Sequence, residues 1–230
     1  MPRARSRNQD DWQTAAAYET GSGCLSFYLL PPLAVLVITG LLTVISLNTP
    51  IHTAALQENK TTAPSHVSPI FTQEVQHWAQ DIARWATASS LDPNLVAVIM
   101  QIESCGDPRA LSSAGAAGLF QVMPFHFRTG ESAYNPETNA LRGLNYLSRS
   151  LATANGNPRL ALAGYNGGIG VIARGEWAWP AQTKRYVYYG SPIYEDARSG
   201  VASSPMLDEW YRKYGAGLCR QAAQRLEISD

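Results

Sequence analysis

Four times in this chain a helix-capping side chain is followed directly by proline: Asp92-Pro93, Asn135-Pro136, Asn157-Pro158 and Ser204-Pro205. The pairing has a physical basis. A short polar side chain accepts a hydrogen bond from a first-turn N–H, and proline fits that turn because it lacks a donor there and has its φ preset. Each pair stands ahead of a helical pattern. In "LDPNLVAVIMQIES" the apolar stripe is Leu95, Val98, Ile99 and Ile102. "PETNALRGLNYLSRSLATANG" points Leu141, Leu144, Leu147 and Leu151 inward and stops at Asn155-Gly156. "PRLALAGYNGG" and "PMLDEWYRKYG" follow the other two pairs, and Val75, Trp78, Ile82 and Trp85 recur at helical spacing earlier in the chain. No stretch alternates convincingly as a strand, "YVYYGSPIY" included. The expectation is one mainly α domain over residues 70–230, with no repeat and no room for a second folded module.

Charge is distributed unevenly. The net formal charge is zero, so nothing basic marks a nucleic-acid partner. Between Glu19 and Glu58 there is no Asp, Glu, Lys or Arg. Within that gap, residues 25–47 would rise about 34 Å as a helix, enough for a bilayer core of about 30 Å. Pro31 and Pro32 shorten the helix if it starts after them. A signal peptide cut after Thr53-Ala54-Ala55 is the competing reading, and a buried soluble helix is the plain alternative. Arg3, Arg5 and Arg7 precede the segment, while the first cation after it is Lys60. The positive-inside rule then keeps residues 1–24 cytoplasmic and places everything after residue 48 outside the cytoplasmic membrane. Residues 48–69, with Pro50, Pro64 and Pro69, read as a linker. Cys105 and Cys219 are the only cysteines of the exported part, and an oxidising compartment would let them pair; two unrelated buried thiols are the alternative.

The chemistry centres on "QIESCGDPRALSSAGAAGLFQVMP", residues 101–124. Glu103 ends an apolar helix, where exposed carbonyls make the potential negative. With partial burial, both effects disfavour its charged form and raise its pKa, as a general acid for glycosidic cleavage requires. The loop after it supplies Gly115 and Gly118 for close backbone approach, Gln121 as a donor and acceptor for sugar hydroxyls, and Phe120 and Met123 as apolar surface. Packing alone is the plainer account of each. Further on, "AGYNGGIG" carries Tyr165 and Asn166, and "QTKRYVYYG" carries Tyr186. Gly168-Ile169-Gly170 imitates a dinucleotide fingerprint without the strand that motif needs. His52, His66, His77 and His126 are too scattered for a metal site.

Taken in order, Glu103-Ser104, Gly118-Leu119-Phe120-Gln121, Tyr165-Asn166-x-Gly168 and Tyr186-Val187 resemble the successive motifs of the family 1 lytic transglycosylases. The resemblance covers roughly residues 70–190. It implies a goose-lysozyme-like SLT domain acting on peptidoglycan without water, cofactor or metal, and leaving a 1,6-anhydro product. It also implies that Glu103 is the sole catalytic carboxylate, acid first and base second. Ser112, Gln121, Met123, Tyr165, Asn166 and Tyr186 would line the sugar cleft. Four positions depart from the pattern: Phe120 where Met is usual, Gly164 where Ala is usual, Gln182 where Glu is usual, and Cys105 beside Glu103-Ser104. The rivals are a hydrolytic lysozyme, with Asp107, Glu131 or Glu137 positioning water, and a non-catalytic peptidoglycan-binding scaffold at the membrane.

Overall fold

The computed structural model describes residues 66–228. The expected tail, membrane segment and most of the linker, residues 1–65, lie outside that range. The described residues form eight α-helices: α1 (Gln73–Gln76), α2 (Ala79–Ala88), α3 (Pro93–Glu103), α4 (Pro136–Thr153), α5 (Pro158–Gly167), α6 (Ala181–Ser199), α7 (Pro205–Trp210) and α8 (Ala216–Leu226). Single 3-10 turns fall at Pro124–His126, Ile169–Val171 and Glu176–Ala178, and a π-helical turn at Tyr211–Gly215 joins α7 to α8. Gly168-Ile169-Gly170 therefore enters a 3-10 turn after a helix. None of these helices is long and apolar enough to cross a membrane.

All four capping pairs start helices as expected. The side chains of Asp92, Asn135, Asn157 and Ser204 accept from the N–H groups of Asn94, Thr138, Leu160 and Leu207. α3 is the centre of the domain, in contact with α1, α2 and α6, while α4 packs on α5 and α5 on α6. The expected stripe on α3 understates its burial, because every residue from Pro93 to Gln101 is buried. A helix enclosed on all sides is apolar all round. Ile102, one of the four stripe residues, is only partly buried and faces a cavity beside Glu103.

Three other expectations need correction. The Val75–Trp85 stripe is split between α1 and α2 by a break at His77-Trp78. The break lets the Trp78 indole reach the Gly106 carbonyl at 2.9 Å and stack on Trp85. Leu141 is 54% exposed, whereas Leu144 and Leu147 are buried and Leu151 is partly so. α2 covers α4 from one side only, and Leu141 falls on the rim of that contact, in a groove with Trp85 and Ala88. The packed domain also begins before residue 70: Val67 and Ser68 are buried, and the Ser68 N–H donates to Asn94 Oδ1 at 2.7 Å.

Candidate active site

Glu103 is the last residue of α3, and the next residue fixes its surroundings. Ser104 is fully buried, and its hydroxyl donates to the Leu119 carbonyl at 2.7 Å. That bond ties the end of the central helix to the Gly118–Gln121 turn. The turn itself closes through an Ala117–Val122 bridge and the Gln121 N–H on the Gly118 carbonyl. Gly118 has φ +75°, and a Cβ there would lie 2.7 Å from the Ala133 carbonyl oxygen, so the turn needs glycine on both counts. Asn139 of α4 supports it from below. Its side chain accepts from the Phe120 N–H at 2.9 Å and donates to the Ala117 and Ala133 carbonyls, each at 2.8 Å.

Phe120 does not offer a face to a sugar. It is fully buried, edge-on to Trp85, and a Cβ on Gly143 of α4 would come within 2.7 Å of its own Cβ. The missing side chain at Gly143 admits the larger Phe120 ring. Sequence could flag that only with both positions already in contact. Tyr165, near the end of α5, donates its hydroxyl to the Phe120 carbonyl at 2.8 Å. Gln121, Met123, Tyr165 and Asn166 line one cavity of about 310 Å³, together with His126 and Tyr146. Ser112 lines neither this cavity nor the one at Glu103; its hydroxyl accepts from the Ala116 N–H at 2.9 Å and closes a turn of the loop.

Glu103 opens into a second cavity of about 190 Å³, lined also by Asn166, Gln182, Tyr186, Trp210 and Tyr214. Asn166 belongs to both linings and accepts from the buried Thr183 hydroxyl at 3.1 Å. The Glu103 side chain keeps some surface in the cleft, yet protein surrounds it on most sides. Desolvation pushes its pKa up to about 7, against a small lowering by the Tyr186 hydroxyl. That hydroxyl is buried and makes no hydrogen bond of ordinary geometry, so its influence is one of proximity. Burial, and next the charge of Glu103, push Tyr165 and Tyr186 upward, which keeps both phenols neutral donors.

Among the described residues, Glu103 is the only carboxylate in either lining. The three acids that a hydrolytic reading would use are occupied elsewhere. Asp107 is buried and accepts from Gln221 at 2.6 Å, with Arg225 at 3.2 Å. Glu131 is held by Arg142 at 2.8 Å and by the Arg128 N–H, which draw its pKa down. Glu137 accepts from Arg84 and from the Trp85 indole at 2.8 Å. The one cluster of metal-ligating side chains among these residues is Glu74 with Cys105 and Cys219. Those sulfurs are joined in a disulfide, Cα–Cα 5.0 Å, and offer no thiolate.

An acid at a helix end, a glycine turn beside it, and tyrosines from two further helices form the ordered set read from the sequence. Residues 80–186 match the family model of the Transglycosylase SLT domain. Those residues, just under half of the chain, are what it shares with that family. Over 111 residues it is 36% identical to the transglycosylase of Enterobacteria phage PRD1, covering 47% of this chain and 40% of the phage protein. It is 31% identical over 91 residues to the endo-type membrane-bound lytic murein transglycosylase A of Klebsiella pneumoniae, covering 33% of this chain and 44% of that one. The chain thus spans under half the length of these relatives. An inactive mutant of lytic transglycosylase Slt from Pseudomonas aeruginosa aligns over 65% of this chain and 24% of its own, at 22% identity. Its TM-score of 0.39 is too low to bear on the fold.

The SLT match ends at residue 186, but the wall of the Glu103 cavity does not. Arg185, within the match, and Tyr189, Trp210 and Tyr214, beyond it, line that cavity. Sequence reasoning missed all four as site residues. Arg185 directly precedes Tyr186 on α6 and Tyr189 follows it by one turn, so helical spacing held a signal for Tyr189. Trp210 and Tyr214 carried none, because the π-helical turn that aims them shows only in the fold.

Proposed function

We propose that this protein is a peptidoglycan lytic transglycosylase that cleaves the β-1,4 bond between N-acetylmuramic acid and N-acetylglucosamine without water. The single observation that carries the reading is a lone carboxylate, Glu103, held near pKa 7 in a cleft with no second acid among the described residues. Ordinary glycosidases set a second carboxylate about 5–9 Å away as nucleophile or base. Here the substrate supplies those parts. Glu103, protonated, gives its proton to the glycosidic oxygen as that bond breaks, while the neighbouring acetamido oxygen stabilises the anomeric carbon. The resulting carboxylate then takes the proton of the C6 hydroxyl, whose oxygen closes on C1 to form the 1,6-anhydro ring. Proton and charge balance, Glu103 is restored, and intramolecular attack benefits from proximity. Gln121, Met123, Tyr165 and Asn166 would seat the sugar on one side of the acid, and the neutral Tyr186 hydroxyl would steady the carboxyl.

Residues 25–47 complete the reading as a signal-anchor in the cytoplasmic membrane, with the SLT domain on its outer side. Resistance of the full chain to alkaline extraction from membranes would support the anchor; a mature N-terminus after Ala55 would replace it with a cleaved signal. For the activity, the test is mass spectrometry of muropeptides released from purified peptidoglycan by the full chain, with Glu103→Gln as control. Products about 18 Da lighter than hydrolytic ones, absent with the variant, are expected. Reducing-end products would move the assignment to a lysozyme. Binding without release would make the protein a scaffold.

A further inference from the structure

The cavity at Glu103 contains more polar equipment than two proton transfers need. Arg185 lies on its wall with an exposed guanidinium placed over the Tyr214 ring, 5.3 Å from the ring centre. Among the described residues Arg185 has no carboxylate partner. The acid on the adjoining helix, Glu209, is already neutralised: it accepts from Lys213 at 2.7 Å and from the Tyr189 hydroxyl at 3.1 Å. Gln182, one turn before Tyr186, brings an exposed amide to the same lining. The only acid in that lining is Glu103, whose raised pKa leaves it largely protonated at slightly acidic pH. A stacked, unpaired guanidinium with a further amide donor in a concave site is a carboxylate receptor by its chemistry, since the fork matches a carboxylate in a bidentate way.

Resting on the lytic transglycosylase reading, we propose that this cavity binds a carboxylate carried by the muramyl residue of the substrate. Arg185 is the charged contact, Gln182 a supporting donor, and Trp210 and Tyr214 the apolar backing. The carboxylate has two sources, the lactyl group of a bare muramyl residue or the peptide attached to it. The side chains of Arg185 and Gln182 make no hydrogen bond or ion pair among the described residues, Arg185 touching the Tyr214 ring alone, and their role is in substrate choice.

The test uses the full chain carrying Glu103→Gln, so that binding is measured without turnover. Dissociation constants are compared, with and without Arg185→Gln, for a glycan fragment bearing stem peptides, the same fragment stripped to free lactyl groups, and an N-acetylglucosamine oligomer without carboxylate. Loss of a charge-assisted contact weakens binding about tenfold to a hundredfold. That loss is expected for one or both carboxylate ligands and not for the neutral oligomer, with Arg185→Lys recovering part of it. Loss confined to the peptide-bearing fragment identifies the stem as the source, and loss on the stripped fragment identifies the lactyl group. Equal affinities with and without Arg185, or equal weakening of the neutral oligomer, would overturn the proposal. Hydrolytic or absent products from the parent enzyme would count against the catalytic reading and leave this binding result to stand by itself.

Discussion

The wall of the cleft that carries Gln121, Met123 and Tyr165 hangs on one buried side chain, Asn139, through three hydrogen bonds to the turn that bears it. The opposite wall, with Trp210 and Tyr214, comes from the C-terminal segment. A disulfide from Cys219 to Cys105, two residues after the acid, and aromatic contacts such as Tyr189 on Tyr214 hold it in place. One wall is a local turn fastened to a neighbouring helix, the other a distant segment brought back across 114 residues of sequence. The first lies within the SLT match and the second beyond it. The contrast separates a wall inside the matched residues from one this chain builds beyond them: the second gives the Glu103 cavity its aromatic backing, while its cation, Arg185, lies inside the match.

Glu103 stands between the walls, and removing it produces the largest effect. On the proposed mechanism Glu103→Gln should lower turnover roughly a thousandfold or more, since both proton transfers would pass through it. The same variant reports on the cost of holding the acid there. The folded carboxyl has a pKa of about 7 against 4.5 in an unconstrained chain, so the folded state retains a proton that the unfolded state releases between those values. Stability therefore falls as pH rises through that window and levels off above it. The penalty is at most about 3 kcal/mol, reduced by the side chain's contact with solvent. Thermal unfolding should show Glu103→Gln more stable than the parent at pH 8 and no different at pH 4. A difference between variant and parent that is the same at both pH values would mean that Glu103 is not held in its protonated form. Turnover of the parent should decline above pH 7 for the same reason.

Next in size is the disulfide. A bridge closing a loop of this length contributes up to about 5 kcal/mol by the chain-entropy estimate. Replacing Cys105 and Cys219 together by alanine should lower the melting temperature and raise hydrogen exchange in residues 204–228 before it does so in α4. If both regions loosen together, the two walls are one cooperative unit and the contrast fails. Asn139→Ala should do the reverse. It leaves the Phe120 N–H and the Ala133 carbonyl without a partner, while the Ala117 carbonyl keeps the Val122 N–H, at roughly 1 kcal/mol for each bond lost, and should cost activity while exchange in the C-terminal segment stays slow. The smallest effect is expected at Leu141. Its exposed position predicts that Leu141→Gln changes stability by no more than about 0.5 kcal/mol, whereas Leu144→Ala, one turn on in the core, should cost roughly 3 kcal/mol. Equal costs would put Leu141 back among the core residues.

Much of the architecture was legible before any coordinates. The four capping pairs announced four helix starts, because a cap and a first-turn proline act within a few residues of each other and depend on nothing remote. The Asn155-Gly156 stop was readable on the same grounds, and both residues adopt positive φ. Glu103, the glycine turn and the two tyrosines could be proposed as a site because their order and spacing survive in one dimension. Where reading failed, the missing information lay in other elements. Phe120 was offered to the ligand because nothing in its own turn shows that Gly143 leaves a hole for it. Leu141 was placed inward because periodicity gives a face and not the width of the helix that will cover it. Val75 and Trp85 were put on one helix because an indole seeking the Gly106 carbonyl leaves no mark in the spacing.

The sequence by itself determined the helical class and the helix starts, and it singled out Glu103 as the candidate acid. These depend on short-range hydrogen bonding and on linear spacing. Only the tertiary structure decided that α3 is enclosed on every side, that Ser104 fastens the acid's helix to the Leu119 carbonyl, and that Arg185 meets Tyr214 beside Glu103. Such contacts join residues far apart in the chain, and desolvation, which sets the pKa of Glu103, depends on how many of them close around one carboxyl at once.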